Sequence, residues 1–432
     1  MIPFRVSPFP PRLGFALGVL LLTIYAIGFS ACKKSADPAG VWRGLIKTNS
    51  GEDVAFTLEV KREGDKIVGS LVNGDDRTVS SGGSFEGNTL KLRYDFYDAE
   101  LIAVIEGDDL IGGFTRQWRK QLLARKLRAK REAGSQIASD TSNSLGEISG
   151  DWVMRVGEEP NVIFWRAAFK QQGPRVRGTI IPLSGDWGEM TGSFETNQLT
   201  LNRFDGINCR VFKATLTPQG ALEGFVDLGL SAPNQKRKIV AERLNAENKS
   251  SVANLPDPNN YTRMSNPAEP FRFSFPDPDG KIISSTDERF KNKVVVVTIT
   301  GSWCPNCYDE APVLQEFYER YRGRGLEVVA LSFEYTGEVA RDAKQVGIFA
   351  KRLGATYPIL YAGAVEDAEK KLSQLDKFSA YPTTIYIGRD GLVKHIHAGF
   401  EGKATGERFT RLKAEMESMI QELLEPQIRR GE

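Results

Sequence analysis

Cys304 and Cys307 are the residues whose type and spacing speak most directly of chemistry. Two thiols three positions apart on a helix share a face and lie within disulfide reach. One thiolate can attack a partner's disulfide, and the other can resolve the mixed disulfide. A zinc site would need two further ligands. The remaining cysteines, Cys32 and Cys209, are remote in sequence, and the two histidines, His395 and His397, lie two apart on an expected strand. These histidines read as packing or surface residues, so no metal is expected. A purely structural disulfide is the bland alternative. Glu310 sits one helical turn past Cys307, close enough for its carboxylate to lie near the thiols. A partly buried carboxyl there would titrate high and could exchange a proton with the buried thiol; a solvated helical glutamate is the plain alternative.

The elements that must position these groups are legible nearby. Val294–Thr300 is a run of β-branched residues, the pattern of a strand buried on both faces. Gly301 and Ser302 break it. Helical spacing then follows from about Cys304 to Arg322, with Val313, Leu314 and Phe317 on one side. Cys304 therefore falls at or near the first helical position, where unpaired N–H groups and the macrodipole favour a thiolate. Pro305 is tolerated in the first turn, and Pro312 is expected to kink the helix. Trp303 is expected beside the disulfide. Further strands are expected at Leu326–Phe333, Tyr357–Tyr361, Thr383–Ile387 and Leu392–Ala398. Helices are expected at Gly337–Leu353, Ala364–Leu375 and Lys403–Leu424, and a short hairpin opens the domain at Phe271–Phe275 and Lys281–Ser284. Glu334 ends a strand at the carboxyl edge of this sheet but is assigned no role.

Trp-Cys-Pro-Asn-Cys after a buried strand resembles the thioredoxin superfamily. The longer pattern, Trp303-Cys304-x-x-Cys307-x-x-Glu310-x-Pro312, resembles its TlpA/ResA-like branch of thiol-disulfide oxidoreductases, related to the AhpC/TSA redoxins. The resemblance covers roughly Phe271 to Leu424. It implies a thioredoxin-like α/β domain, and catalytic roles for Cys304, Cys307 and Glu310. In Ala380-Tyr381-Pro382-Thr383-Thr384 it implies a cis-Pro loop facing the cysteines, with Trp303, Tyr381 and Pro382 lining the substrate site. Such a loop would leave the Tyr381 backbone free to pair with an incoming peptide. It also implies an exported, often membrane-tethered enzyme, with no cofactor beyond its own disulfide.

Arg5 and Arg12 precede an apolar run from Leu13 to Phe29 that ends in Ser30-Ala31-Cys32. This is the form of a secretory signal. Residues 1–31 read as a lipoprotein signal peptide, with Cys32 the lipidated first residue of the mature chain; an uncleaved anchor is the alternative. Either places the remainder outside the cytoplasm, facing the periplasm or cell surface, where disulfides persist. A formal net charge of +2 over 432 residues gives no field that argues for nucleic acid. Four cysteines are too few for a disulfide scaffold, and Cys209 reads as a buried small hydrophobe.

Between the amino terminus and the redox region lie two stretches of alternation and turns, 40–131 and 150–245. Gly83-Ser84-Phe85-Glu86 is echoed by Gly192-Ser193-Phe194-Glu195, and Gly40-Val41-Trp42 by Gly150-Asp151-Trp152. The nearly constant offset suggests an internal duplication. Each copy is expected to be a small antiparallel all-β barrel or sandwich, and the whole a multidomain chain ending in the thioredoxin-like α/β domain at 271–425. Trp42, Trp118, Trp152, Trp165 and Trp187 read as core rather than pocket. The basic stretch Arg116–Arg131 is either a last strand with a solvated face or a basic helix on lipid. Residues 132–149 and 246–270 look like extended or flexible linkers.

The leading functional expectation is a membrane-tethered thiol-disulfide oxidoreductase, working as a reductase on exported protein disulfides and supplied by an upstream thiol electron donor. Two alternatives stand beside it. A peroxiredoxin-like peroxidase would want a threonine three residues before the cysteine, whereas Thr300 lies four before Cys304. A ligand- or protein-binding β module would carry the redox domain as an accessory.

Overall fold

The computed structural model describes residues 37–132, 146–229, 236–244 and 254–425; the expected signal peptide and Cys32 lie outside them. The first β unit contains β1 (Gly40–Lys47), β2 (Asp53–Glu63), β3 (Lys66–Asn73), β4 (Asp76–Val79), β5 (Gly82–Glu86), β6 (Thr89–Tyr94), β7 (Ala99–Glu106), β8 (Asp109–Trp118) and β9 (Gln121–Arg131). They form one sheet in the order β4-β3-β2-β1-β9-β8-β7-β6-β5, left open between β4 and β5. Alternation explains the strands: Val54, Phe56, Leu58 and Val60 of β2 are buried, and their neighbours are not. The basic stretch is the β8–β9 hairpin. On β9, Leu127 and Ala129 turn inward, while Lys126, Arg128 and Lys130 face solvent.

The second unit contains β10 (Gly150–Val156), β11 (Ile163–Gln172), β12 (Arg175–Ile181), β13 (Met190–Glu195), β14 (Gln198–Phe204), β15 (Cys209–Leu216), β16 (Leu222–Asp227) and β17 (Lys236–Arg243), closed into a barrel. The duplication extends to side-chain detail. Trp42 donates its indole N–H to the Pro38 carbonyl and Trp152 donates to that of Ile148, both at 3.0 Å. Arg131 lies over the Trp42 ring and Arg243 over Trp152. Each pair joins the first and last strands of its unit, Trp42 opposite Arg131 and Trp152 opposite Arg243. The copies diverge after their third strand. The first makes β4, whereas the second runs as a loop through residues 182–189 before β13 pairs directly with β12. That difference closes the barrel and frees the loop.

The third unit contains β18 (Arg263–Met264), β19 (Ser274–Pro276), β20 (Ile282–Ser284), β21 (Val294–Thr300), α1 (Pro305–Tyr321), β22 (Leu326–Glu334), α2 (Val339–Leu353), β23 (Ile359–Ala364), α3 (Ala368–Lys371), β24 (Leu375–Asp376), β25 (Thr383–Ile387), β26 (Val393–Ala398) and α4 (Glu407–Leu424). The sheet order is β23-β22-β21-β25-β26, with β21 parallel to β22 and antiparallel to β25. Both faces of β21 are covered. Val294 and Val296 pack with Leu314, Phe317 and Ile420, whereas Val295, Val297 and Ile299 pack with Phe271, Phe290 and Leu360.

Two sequence expectations need correction. The helix expected over Ala364–Leu375 shrinks to a 3-10 turn, Val365–Asp367, followed by the one-turn α3. Leu375 leaves the helix because it pairs with Met264, as the next residue, Asp376, pairs with Arg263. For the same reason the second linker is no free tether over its described residues, 254–270. Ala398 donates to the Pro258 carbonyl at 2.9 Å, and Asn259 bonds the His397 ring at 2.8 Å.

A candidate redox site at the junction of three units

Cys304 is the N-cap of α1, with extended backbone (φ −101°). Its sulfur occupies the position usually taken by a serine or aspartate oxygen and accepts the Cys307 N–H at 3.2 Å. Gly301 and Ser302 turn the chain so that the Cys304 N–H closes on the Gly301 carbonyl at 3.0 Å. Cys304 and Cys307 are joined as a disulfide, with Cα atoms 5.3 Å apart. Cys304 is 4% exposed and Cys307 1%.

Trp303 is fixed by an indole N–H bond to the Phe333 carbonyl at 2.8 Å. Its ring stacks on Tyr335 at 4.5 Å and meets Tyr381 edge-on at 5.0 Å. The Tyr381–Pro382 peptide is cis. The Tyr381 carbonyl oxygen lies 3.5 Å from the Cys304 sulfur, and the Pro382 carbonyl accepts from Gly399 at 2.7 Å. Trp303, Tyr381 and Pro382 are thus gathered beside the sulfurs.

Glu310 points into the protein rather than at solvent. It is 2% exposed. Its carboxylate accepts from the Thr298 hydroxyl of β21 at 2.7 Å and from the Thr384 hydroxyl of β25. Burial raises its pKa to about 7, and the two hydroxyl bonds lower it in part. Its oxygens bond to these threonines and not to sulfur.

The structure adds a second buried carboxyl with no role in the sequence reading. Glu334, 1% exposed at the end of β22, accepts from the Ser302 N–H at 3.0 Å and from the Ser302 and Ser332 hydroxyls at 2.6 and 2.7 Å. Burial raises this group to about 7 as well, and the Ser302 bonds oppose the rise. It holds the loop that delivers Trp303 and Cys304. Its place on the carboxyl edge of the sheet was visible in sequence; the serines that receive it were not.

Other singled-out residues lie elsewhere. His397 is buried and bonded to Asn259, and burial lowers its pKa to about 4. His395 lies against the Tyr386 ring. Cys209 is a buried free thiol, raised to about 12 by burial. Trp42, Trp152, Trp165 and Trp187 are core residues, while Trp118 is half-buried and packs edge-on against Tyr335.

Both β units reach this end of the third. Asn306, between the cysteines, donates to the Ser184 carbonyl of the barrel loop at 2.9 Å and to the Phe400 carbonyl at 3.3 Å. Gly185 forms a parallel β-bridge with Phe400. From the other side, Tyr308 donates to the Phe96 carbonyl of the first unit at 3.1 Å. Gln345 donates to the carbonyls of Asp95 and Phe96. All three units belong to one compact body.

Residues 265–411 match the Redoxin family. The chain is 31% identical over 119 residues to the thiol-disulfide oxidoreductase ResA of Geobacillus kaustophilus, covering 28% of this chain and 62% of that protein. It is 30% identical over 131 residues to the thioredoxin-like protein YneN of Bacillus subtilis, covering 30% of this chain and 65% of that one. The chain therefore spans a little under two thirds of the length of these relatives. Among solved structures, a thioredoxin-family thiol:disulfide interchange protein from Chlorobium tepidum is 22% identical, with a TM-score of 0.30, covering 38% of this chain and 100% of that one. The C-terminal part of the chain thus matches the Redoxin family over residues 265–411 and is similar to TlpA/ResA-like thiol-disulfide oxidoreductases of the thioredoxin superfamily.

Proposed function

We propose that the protein is a thiol-disulfide oxidoreductase working through Cys304 and Cys307. The observation that carries this is the pair itself: two bonded sulfurs at a helix N-terminus, the first accepting an N–H bond and lying 3.5 Å from the Tyr381 carbonyl. In the reduced protein, the Cys307 N–H and the helix end favour a thiolate at Cys304. That thiolate attacks one sulfur of a substrate disulfide, forms a mixed disulfide and releases the other substrate sulfur as a thiolate. Cys307, once deprotonated, attacks Cys304 and frees the second substrate sulfur. Two electrons pass to the substrate, and a dithiol donor must restore the pair. Glu310 is the proposed acceptor of the Cys307 proton, since a carboxyl poised near neutrality can exchange one at little cost. Trp303 and the Tyr381–Pro382 loop would seat the substrate backbone.

The finer reading places the enzyme outside the cytoplasm, tethered through Cys32 and acting as a reductase on exported protein disulfides. The signal-like amino terminus supports this. Trapping tests the activity. Cys307→Ala should accumulate mixed disulfides through Cys304 in the cell envelope, and Cys304→Ala should not. Equal yields from both variants would contradict the assignment of the nucleophile.

A further inference from the structure

Nothing in the redox chemistry requires the two β units, yet both are built against the residues that flank the disulfide. On one side, the barrel loop that replaces β4 sets its Ser184 carbonyl on Asn306. It continues as Gly185 beside Phe400 and as Asp186, which accepts the Gly402 N–H. On the other side, the first unit brings Phe96 and Tyr97 edge-on to Tyr308, directly after Cys307. Its β8–β9 hairpin lays Trp118 on Tyr335, which stacks on Trp303. The two attachments flank the segment that carries the disulfide, and Cys304 itself is 4% exposed within the core of the third unit.

We propose that the two β units form a specificity cap over the disulfide, which admits an extended, unfolded polypeptide segment and refuses the surface of a folded protein. This rests on the redox reading of Cys304 and Cys307 above. A folded partner must bring a broad surface to within bonding distance of sulfur, and the cap occupies the flanks where that surface would rest. An extended segment is thin enough to enter and has free backbone groups to offer the Tyr381 carbonyl. Refusal by steric conflict selects between partners without any loss of chemistry toward the accepted one. Asn306 then has a structural use beside any effect on potential: it ties the loop between the cysteines to the cap.

Gly185 supplies a lever outside the redox machinery. Its φ is +105°, and a Cβ there would overlap the Phe400 carbonyl and the Asn306 amide. Gly185→Val therefore wedges the barrel loop away from the redox unit. Trp118→Ala loosens the opposite attachment should the first variant fold poorly. The experiment uses the full chain with dithiothreitol as electron donor. It compares three substrates: hydroxyethyl disulfide, a short unstructured peptide dimer joined by a disulfide, and a stably folded protein with one surface disulfide. The expected result is that the peptide is reduced at least about tenfold faster than the folded protein, a difference of roughly 1.4 kcal/mol in barrier. Either loosened variant should narrow that ratio by speeding the folded substrate, with the rate on hydroxyethyl disulfide unchanged. Equal rates on peptide and folded protein would overturn the cap but leave the redox reading standing. So would turnover of hydroxyethyl disulfide with none of the peptide. No turnover of any substrate would overturn both.

Discussion

Glu310 and Glu334 give the site its expected pH dependence. Both are buried, and burial raises each to about 7 from the ordinary 4.5. A carboxyl whose pKa is higher folded than unfolded stabilises the fold fully below its unfolded value, and that contribution is lost as pH rises through the folded value. The relevant window is therefore about pH 4.5 to 7. Glu310→Gln removes the ionisation and should gain stability relative to the parent as pH rises from 5 to 8, by up to about 3 kcal/mol. Melting curves across that range test this; parallel curves for parent and variant would contradict it. Arg116 supports a second expectation. It is 3% exposed and lies over Trp118, and its Nε and Nη1 have no hydrogen-bond partner among the described residues. Burial lowers its pKa to about 10, which still leaves a cation at neutral pH. Arg116→Met should therefore be neutral or stabilising, within about 1 kcal/mol of loss at most; a loss above about 2 kcal/mol in denaturant unfolding would show that the charge is compensated after all. At this level the sequence was informative where local spacing decides the outcome. Cys304, Cys307 and Glu310 share one helix, so their proximity follows from its geometry. Glu334 meets Ser302 across more than thirty positions, and no local rule reports such a meeting.

The elements divide along the same line. The buried strand at Val294–Thr300 and the helix after it were legible because uninterrupted β-branched residues and a 3.6-residue apolar period are each strong patterns. The helix expected beyond Ala364 was wrong because its last residues join a two-stranded sheet with Arg263 and Met264, a pairing supplied by the linker. The duplication was readable as a repeated offset, yet the closure of one copy and not the other was not. It turns on a single connection, residues 182–189, whose mixed composition is compatible with either outcome. The repeated tryptophan corner offers a test of common design. Trp42→Phe and Trp152→Phe each remove an indole donor and strand a carbonyl, of Pro38 or Ile148. Each should cost about 1–3 kcal/mol, and the two losses should agree within about 1 kcal/mol if the corners are equivalent. A large cost for one and none for the other, measured by denaturant unfolding, would show that the copies have drifted apart energetically.

For the molecule as a whole, both β units are joined to the third unit near the segment that carries the disulfide. Asn73 and the Phe204 backbone exchange hydrogen bonds between the first and second units. Arg203 pairs with Asp76 across the same seam and with Asp205 within its own unit. The three units should therefore keep a common orientation in solution. Every functional statement depends on Cys304 and Cys307 being a reversible couple. The direct measurement is a redox titration of the native full chain in dithiothreitol buffers, quenched by alkylation and read by mass at each cysteine. Cys304 and Cys307 should gain and lose label together in one two-electron transition, while buried Cys209 stays unlabelled until the protein unfolds. Sulfurs that remain free in oxidising buffer, or that take up label independently of each other, would contradict the account.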